Sequence, residues 1–277
     1  MKLFKIMGLM PVLCFCACSE VEQPEHSPEY ITFSPAVTVS RATDTAFDRN
    51  DKISVFAEID NGYNTSGSIG SNPYAHNVPY SYNGSKFIAM SEGIELEHAD
   101  DKLFYYAVYP YSADMQREFT FLCKHDQSDY TDYTLSDLMV AYNDESTSSQ
   151  SVSLKFIHIL SKAVVNLEYS GIEVYRVTLT DVNYAANLNM EKNTIATLSA
   201  KGDVVMCPNG NKSFKAIIPY QTIKEGTAFA MIETNIGNYR VTASNDIELD
   251  LAELKNIYVR IDNTKRGNSK SCNAYTK

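Results

Sequence analysis

Residues 152 to 169, VSLKFIHILSKAVVNLEY, form the densest apolar stretch after the N-terminus and leave the chain little choice of fold. Val152, Leu154 and Phe156 alternate with Ser153 and Lys155, the period-two pattern of a strand with one buried face, and His158 continues the buried parity. Ala163, Val165, Leu167 and Tyr169 then alternate with Asn166 and Glu168, and the β-branched residues favour extended chain. Leu160, Ser161 and Lys162 make the corner between the two strands. Strand-like runs recur about ten residues apart through the chain, and no segment keeps a helical period. The 19 Tyr and 12 Phe, with no Trp, suit the same class. The expected fold is all-β, and 277 residues suffice for two tandem β-sandwich domains, each with its own core.

The N-terminus carries Lys2 and Lys5, an apolar run from Ile6 to Phe15, and then Cys16-Ala17-Cys18-Ser19. That is the layout of a signal peptide, too short to span a bilayer. The small residues before Cys18 resemble a lipobox, so residues 1–17 are expected to be removed and Cys18 acylated. Three acyl chains would anchor the chain stably. Ser19 in place of Asp resembles an outer-membrane address, and Glu20, Glu22 and Glu25 form an acidic leader within a tether at 18–28. Loss of Lys2 and Lys5 takes the formal charge from −10 to −12, which excludes nucleic acid as a partner. Cys123, Cys207 and Cys272 lack C-x-x-C spacing, and with Cys123 and Cys207 in different predicted domains, single buried thiols are expected.

Taken in order, an N-terminal domain at 29–150 opens with a strand at 30–40, broken once at Pro35, in which Ile31 and Phe33 share one parity, as do Val37 and Val39. Arg41-Ala42-Thr43 follows, and then the core strand Ile53–Ala57, with Asn50 placed where a left-handed turn is tolerated. Residues 60–77 read as a surface loop, and Asn83-Gly84 as the turn of a hairpin. Leu103–Tyr111 is apolar on both faces, as a central strand is. Its tyrosines are expected to pack in the core with their hydroxyls at the rim. A second domain at 151–262 carries strands up to residue 261, with one helical turn around Leu249, Leu251 and Leu254. Residues 263–277 hold four basic residues, no acidic residue and no apolar alternation, and read as a disordered basic tail.

Three segments carry a resemblance. Asp137-Leu138-Met139-Val140-Ala141, followed by a polar loop and V-x-L-x-F-x-H-x-L-x-K-x-V-x-N-L, resembles the domain junction of the Bacteroidota fimbrillins, the type V pilins. Arg41-Ala42-Thr43 before F-x-x-N-D-x-I-S-V-F, and the run ending Tyr109-Pro110-Tyr111, are similar to further family segments. The resemblance implies transthyretin-like sandwiches and a lipid-anchored precursor held to the outer membrane through Cys18. It implies cleavage between Arg41 and Ala42 by an arginine-specific protease, and removal of the strand carrying Ile31, Phe33, Val37 and Val39. Association with other fimbrial subunits by strand complementation follows, at the cell surface and then in the fimbrium, with adhesion to a host or bacterial surface ligand. Family stalk subunits donate a C-terminal extension, and the polar tail here suits a tip or accessory subunit that accepts a strand and donates none. The alternative is a surface glycan-binding lipoprotein that keeps its first strand permanently.

Chemistry leaves little trace. H-E-x-x-H, G-x-S-x-G, P-loop and dinucleotide patterns are absent, so no catalytic residue, cofactor or metal site is expected. Asp126, Asp129, Asp132 and Asp137 do not match the alternating ligands of a calcium loop. His158 reads as a core histidine, and His125-Asp126 as a pair pointing to opposite faces. Asn64, Asn83 and Asn211 head sequons that mean little in a bacterial lipoprotein, and Asp44-Thr45-Ala46 weakly resembles an O-glycosylation site.

Overall fold

A computed structural model describes residues 29–37, 47–262 and 270–276. The first half contains β1 (Thr32–Val37), β2 (Lys52–Ile59), β3 (Ala75–Tyr82), β4 (Phe87–Ala89), β5 (Leu103–Tyr109), β6 (Glu118–Leu122), helix α1 (Tyr130–Thr134), β7 (Met139–Tyr142) and β8 (Ser151–His158). After the corner come β9 (Ser161–Glu168), β10 (Val174–Asn183), β11 (Ala185–Asn189), β12 (Thr194–Thr197), β13 (Lys201–Val205), β14 (Cys207–Pro208) and β15 (Ser213–Ile218). The chain ends with β16 (Gln221–Ile223), β17 (Ala228–Thr234), β18 (Gly237–Ala243), β19 (Ile247–Leu249), β20 (Leu254–Arg260) and β21 (Lys270–Tyr275). The fold is all-β, as the alternation predicts.

Seven strands close on themselves in the order β1-β4-β3-β2-β5-β7-β8, around a core that includes Ile53, Val55, Tyr105, Leu154 and Phe156. In β8 the odd residues are exposed, Ile157 included, while Val152, Leu154, Phe156 and His158 are buried. β8 therefore belongs to the first unit. The expected boundary at 150/151 moves to Ile159–Leu160, because β8 must pair with both β7 and β1 to close the barrel. The second unit is a nine-stranded sheet in the order β13-β10-β17-β18-β21-β20-β9-β15-β14, curled about a core that includes Val165, Leu179, Ile232 and Ile257.

Several junction strands are buried on both faces, which is why the sequence there is so apolar. β2 points Ile53, Val55 and Ala57 into the barrel, and Phe56 into a separate cluster with Tyr106, Val108, Tyr133, Leu160, Leu188 and Ile217. That third core joins the halves, and β6 pairs with β11 across it in a three-stranded sheet with β12. Gln127, fully buried, reinforces the junction. Its Oε1 accepts from Ile217 N at 2.9 Å and its Nε2 donates to Ile217 O at 2.8 Å, as a neighbouring strand would. Cys123 and Cys207, expected in different domains, both line this cluster, while Cys272 is buried in the second core.

Three local expectations change. Residues 129–134 form α1, capped by Asp129, whose carboxylate accepts from Asp132 N at 3.0 Å; five residues are too few to show a period. The predicted helical turn at 249–254 is a tight turn between β19 and β20, closed by Glu253 N donating to Asp250 O at 3.3 Å, and Ala252 at φ +60° makes it non-helical. The polar tail contains β21, inserted parallel to β18 and antiparallel to β20. Its inward residues are Cys272 and Ala274, so the strand needs no large apolar side chains and its alternation is invisible to a hydropathy reading.

Deleting residues 263–277 should unseat β18 and β20, lowering the thermal midpoint and driving association through the bared edges; calorimetry and size-exclusion chromatography will read both. Gln127→Leu leaves the Ile217 amide and carbonyl buried without their partner and should cost roughly 2–4 kcal/mol in urea unfolding.

Candidate functional site: the seat of the first strand

β1 lies between β4 and β8 and completes the barrel from the far end of the sequence. It runs parallel to β8 over six residue pairs, from Thr32 opposite Ser151 to Val37 opposite Phe156. Its register with β4 is a single pair, Phe33 opposite Phe87. Thr32 N donates to Gln150 O at 2.9 Å, which sets the parity: Thr32, Ser34 and Ala36 turn their amides toward β8, and Phe33 and Pro35 turn away. Pro35 thus places its missing N–H on the side where β4 has already ended. The strand runs through the proline unbroken, against the expected interruption; it is described over Thr32–Val37, and residues 38–40 of the expected strand lie outside the described residues.

Ile31 and Phe33 are fully buried. Phe33 meets the Tyr80 ring edge-on at 4.9 Å and the Tyr105 ring at 5.1 Å between centroids. Ile31 N donates to Ile94 O at 2.9 Å, and Tyr80 Oη accepts from Ile94 N at 2.9 Å, so the irregular segment around Ile94 clamps the start of β1. Sequence reasoning missed that clamp, since Ile94 and Leu96 make only two apolar steps among acidic residues, too short a run to mark a strand. Gly93 allows the close approach: a Cβ there would lie 2.6 Å from Tyr30 Cγ. Phe47 is buried against Phe87 and Phe156, at 5.0 and 4.9 Å. Both flanks of residues 38–46 are therefore fixed, Val37 in the barrel ladder and Phe47 in the barrel core. Cys18, Val39, Arg41 and Ala42 lie outside the described residues, and of Val37 only the strand position is described.

Other candidates resolve as structural. His158 Nδ1 is 2.8 Å from Asp137 Oδ2, both side chains almost wholly buried, as a core histidine requires. His125 packs against Tyr184 with the rings tilted, and its Nδ1 lies 2.8 Å from Asp203 O, while the Asp126 carboxylate accepts from Ser128 N, so the adjacent pair forms no relay. Asn50 adopts φ +76°, the left-handed turn expected of it. Tyr106 donates to Asn193 Oδ1 at 3.1 Å and Tyr109 to Asp51 Oδ1 at 3.5 Å, so hydroxyls do reach polar groups at the rim. The Tyr105 hydroxyl does not; it is buried and has no partner among the described residues.

Burial pushes the Tyr80 pKa up from 10.0 to about 12 and raises those of Tyr105, Tyr106 and Tyr109 as well. These rings fold as neutral phenols, so their contribution is complete below about pH 10 and fades as pH rises through the folded values. The barrel should unfold between about pH 10 and 12, with tyrosinate absorbance at 295 nm rising together with the loss of sheet circular dichroism. Tyr80→Phe should weaken this pH dependence.

A family model described as fimbrillin-like matches residues 40–273, a region that begins just after β1. Among solved structures, a candidate cell adhesion protein of Bacteroides ovatus superposes with a TM-score of 0.66 at 13% identity, covering 91% of this chain and 96% of the other. A candidate cell adhesion protein of Bacteroides uniformis gives 0.63 at 15% identity, with 90% and 98% covered. No curated protein matches the sequence. The solved structures share the fold, and the sequence match extends over most of the chain, so this protein belongs to the fimbrillin-like family.

Proposed function

We propose that this fimbrial protein is secreted as a lipoprotein anchored through Cys18, matured by an arginine-specific cut between Arg41 and Ala42, and assembled when a strand of another subunit takes the place of β1. One observation carries the reading. β1 closes the barrel, yet it is joined to the remainder of the unit through residues 38–46, between two fixed points. A cut at Arg41 severs that link while leaving Phe47 in the core. Loss of β1 then opens the facing edges of β4 and β8 together with the pockets of Ile31 and Phe33. Refilling those two pockets is worth roughly 3–6 kcal/mol gross, and an incoming strand supplies the ladder as well.

The start of the family match at residue 40 supports a first strand distinct from the shared body. The use of β21 within the chain's own sheet supports a subunit that accepts a strand without donating β21, the tip or accessory role. A lipid anchor at the outer membrane and release into the fimbrium complete the proposed path.

Protein recovered from the cell surface should begin at Ala42 and be found in polymer. Arg41→Ala should begin at the acylated Cys18 and stay unassembled, as N-terminal sequencing and electrophoresis without boiling will reveal. A wild-type chain that starts at Cys18 and remains monomeric would overturn the reading; if it also binds an oligosaccharide regardless of Arg41, it is a glycan-binding lipoprotein instead.

A further inference from the structure

The seat of β1 is poorly matched to the strand that occupies it. At the start of the strand Tyr30 borders a cleft of about 370 Å³ whose wall includes Glu92, Glu95 and Glu97. All three carboxylates are exposed. The residue that leads into this acidic mouth is itself acidic, Glu29, also exposed and immediately before Tyr30. The clamp bonds between Ile31 and Ile94 and the packing of Tyr30 on Gly93 hold the two stretches side by side, so like charges are gathered at one end of the strand. A second mismatch lies in the barrel core against Phe33. The Tyr105 ring packs on Phe33, and its buried hydroxyl finds no partner among the described residues, although the resident strand turns only Ile31 and Phe33 inward over this stretch.

We infer that the strand which displaces β1 is headed by lysine or arginine at the position of Glu29, so that the acidic mouth formed by Glu92, Glu95 and Glu97 selects a basic-headed strand from a different subunit. This rests on the strand-exchange reading above and names the chemistry of the partner. The first strand of a second copy of this chain is excluded as the preferred occupant, since it would bring Glu29 back to the same wall. The charge mismatch makes the resident strand the weaker ligand for its own seat, which gives exchange a direction without any change in the apolar pockets. The orphaned Tyr105 hydroxyl works the same way, as a desolvation cost that the resident strand leaves uncompensated.

The test uses the full mature chain, nicked after Arg41, and two fluorescent peptides spanning residues 29–39, one with the native Glu29 and one with Glu29→Lys. At low ionic strength the lysine-headed peptide should be incorporated about tenfold more, a gain that several exposed charge pairs acting together supply. That preference should vanish in 1 M salt, where the Debye length is about 3 Å, and in the Glu92→Gln, Glu95→Gln, Glu97→Gln triple variant. In the uncut chain, Tyr105→Phe should raise the thermal midpoint by removing the unpartnered hydroxyl. Equal incorporation of the two peptides would overturn the inference and leave strand exchange standing. Incorporation of neither would overturn strand exchange itself, and the inference with it.

Discussion

A barrel can close only if its first and last strands meet, and here they are separated by more than a hundred residues of intervening chain. The parallel ladder between β1 and β8 supplies that closure. The rest of the first unit depends on it: without β1, the aromatic layer of Tyr80, Tyr105, Phe87 and Phe156 would face an open slot. The ladder is asymmetric, continuous toward β8 and barely begun toward β4. Pro35 is tolerated because of that asymmetry, and the same asymmetry keeps the strand from being locked in on both sides.

β8 then hands the chain to the second unit through a two-residue corner, so the strand that receives β1 is covalently continuous with β9, the strand that receives β15 and β20. The two units do not hang loosely from that corner. A third apolar cluster, the shared sheet of β6 and β11, and the two-point grip of Gln127 on Ile217 fill the space between them. The result is a shared apolar seam on the side of the barrel away from β1, where Phe56, Tyr106 and Val108 are buried.

Much of this was legible in the residues. The two strands at 152–169 and the doubly apolar run at 103–109 have the alternation and the two-sided burial that their sequence indicates, because side-chain parity in a strand is a local property. The position of the unit boundary was not legible, since a corner between strands looks the same whether the strands share a sheet or belong to different ones. Nor was the clamp around Ile94, which works through backbone amides and the hydroxyl of Tyr80, fourteen residues away. α1 was hidden by its brevity, and β21 by its small inward residues Cys272 and Ala274. Of the seat, Ile31 and Phe33 could be read from parity. The orphaned Tyr105 hydroxyl could not, because it is a fact about distant chain segments.

The placement of β21 has a mechanical consequence. In the described strand order β18 and β20 meet only through it. The larger sheet is thus two four-stranded halves, β13-β10-β17-β18 and β20-β9-β15-β14, laced together by one strand, with five register pairs on the β18 side and two on the β20 side. A pull along β21 loads both ladders in shear, and the seam with β20, having fewer pairs, is where the sheet parts first.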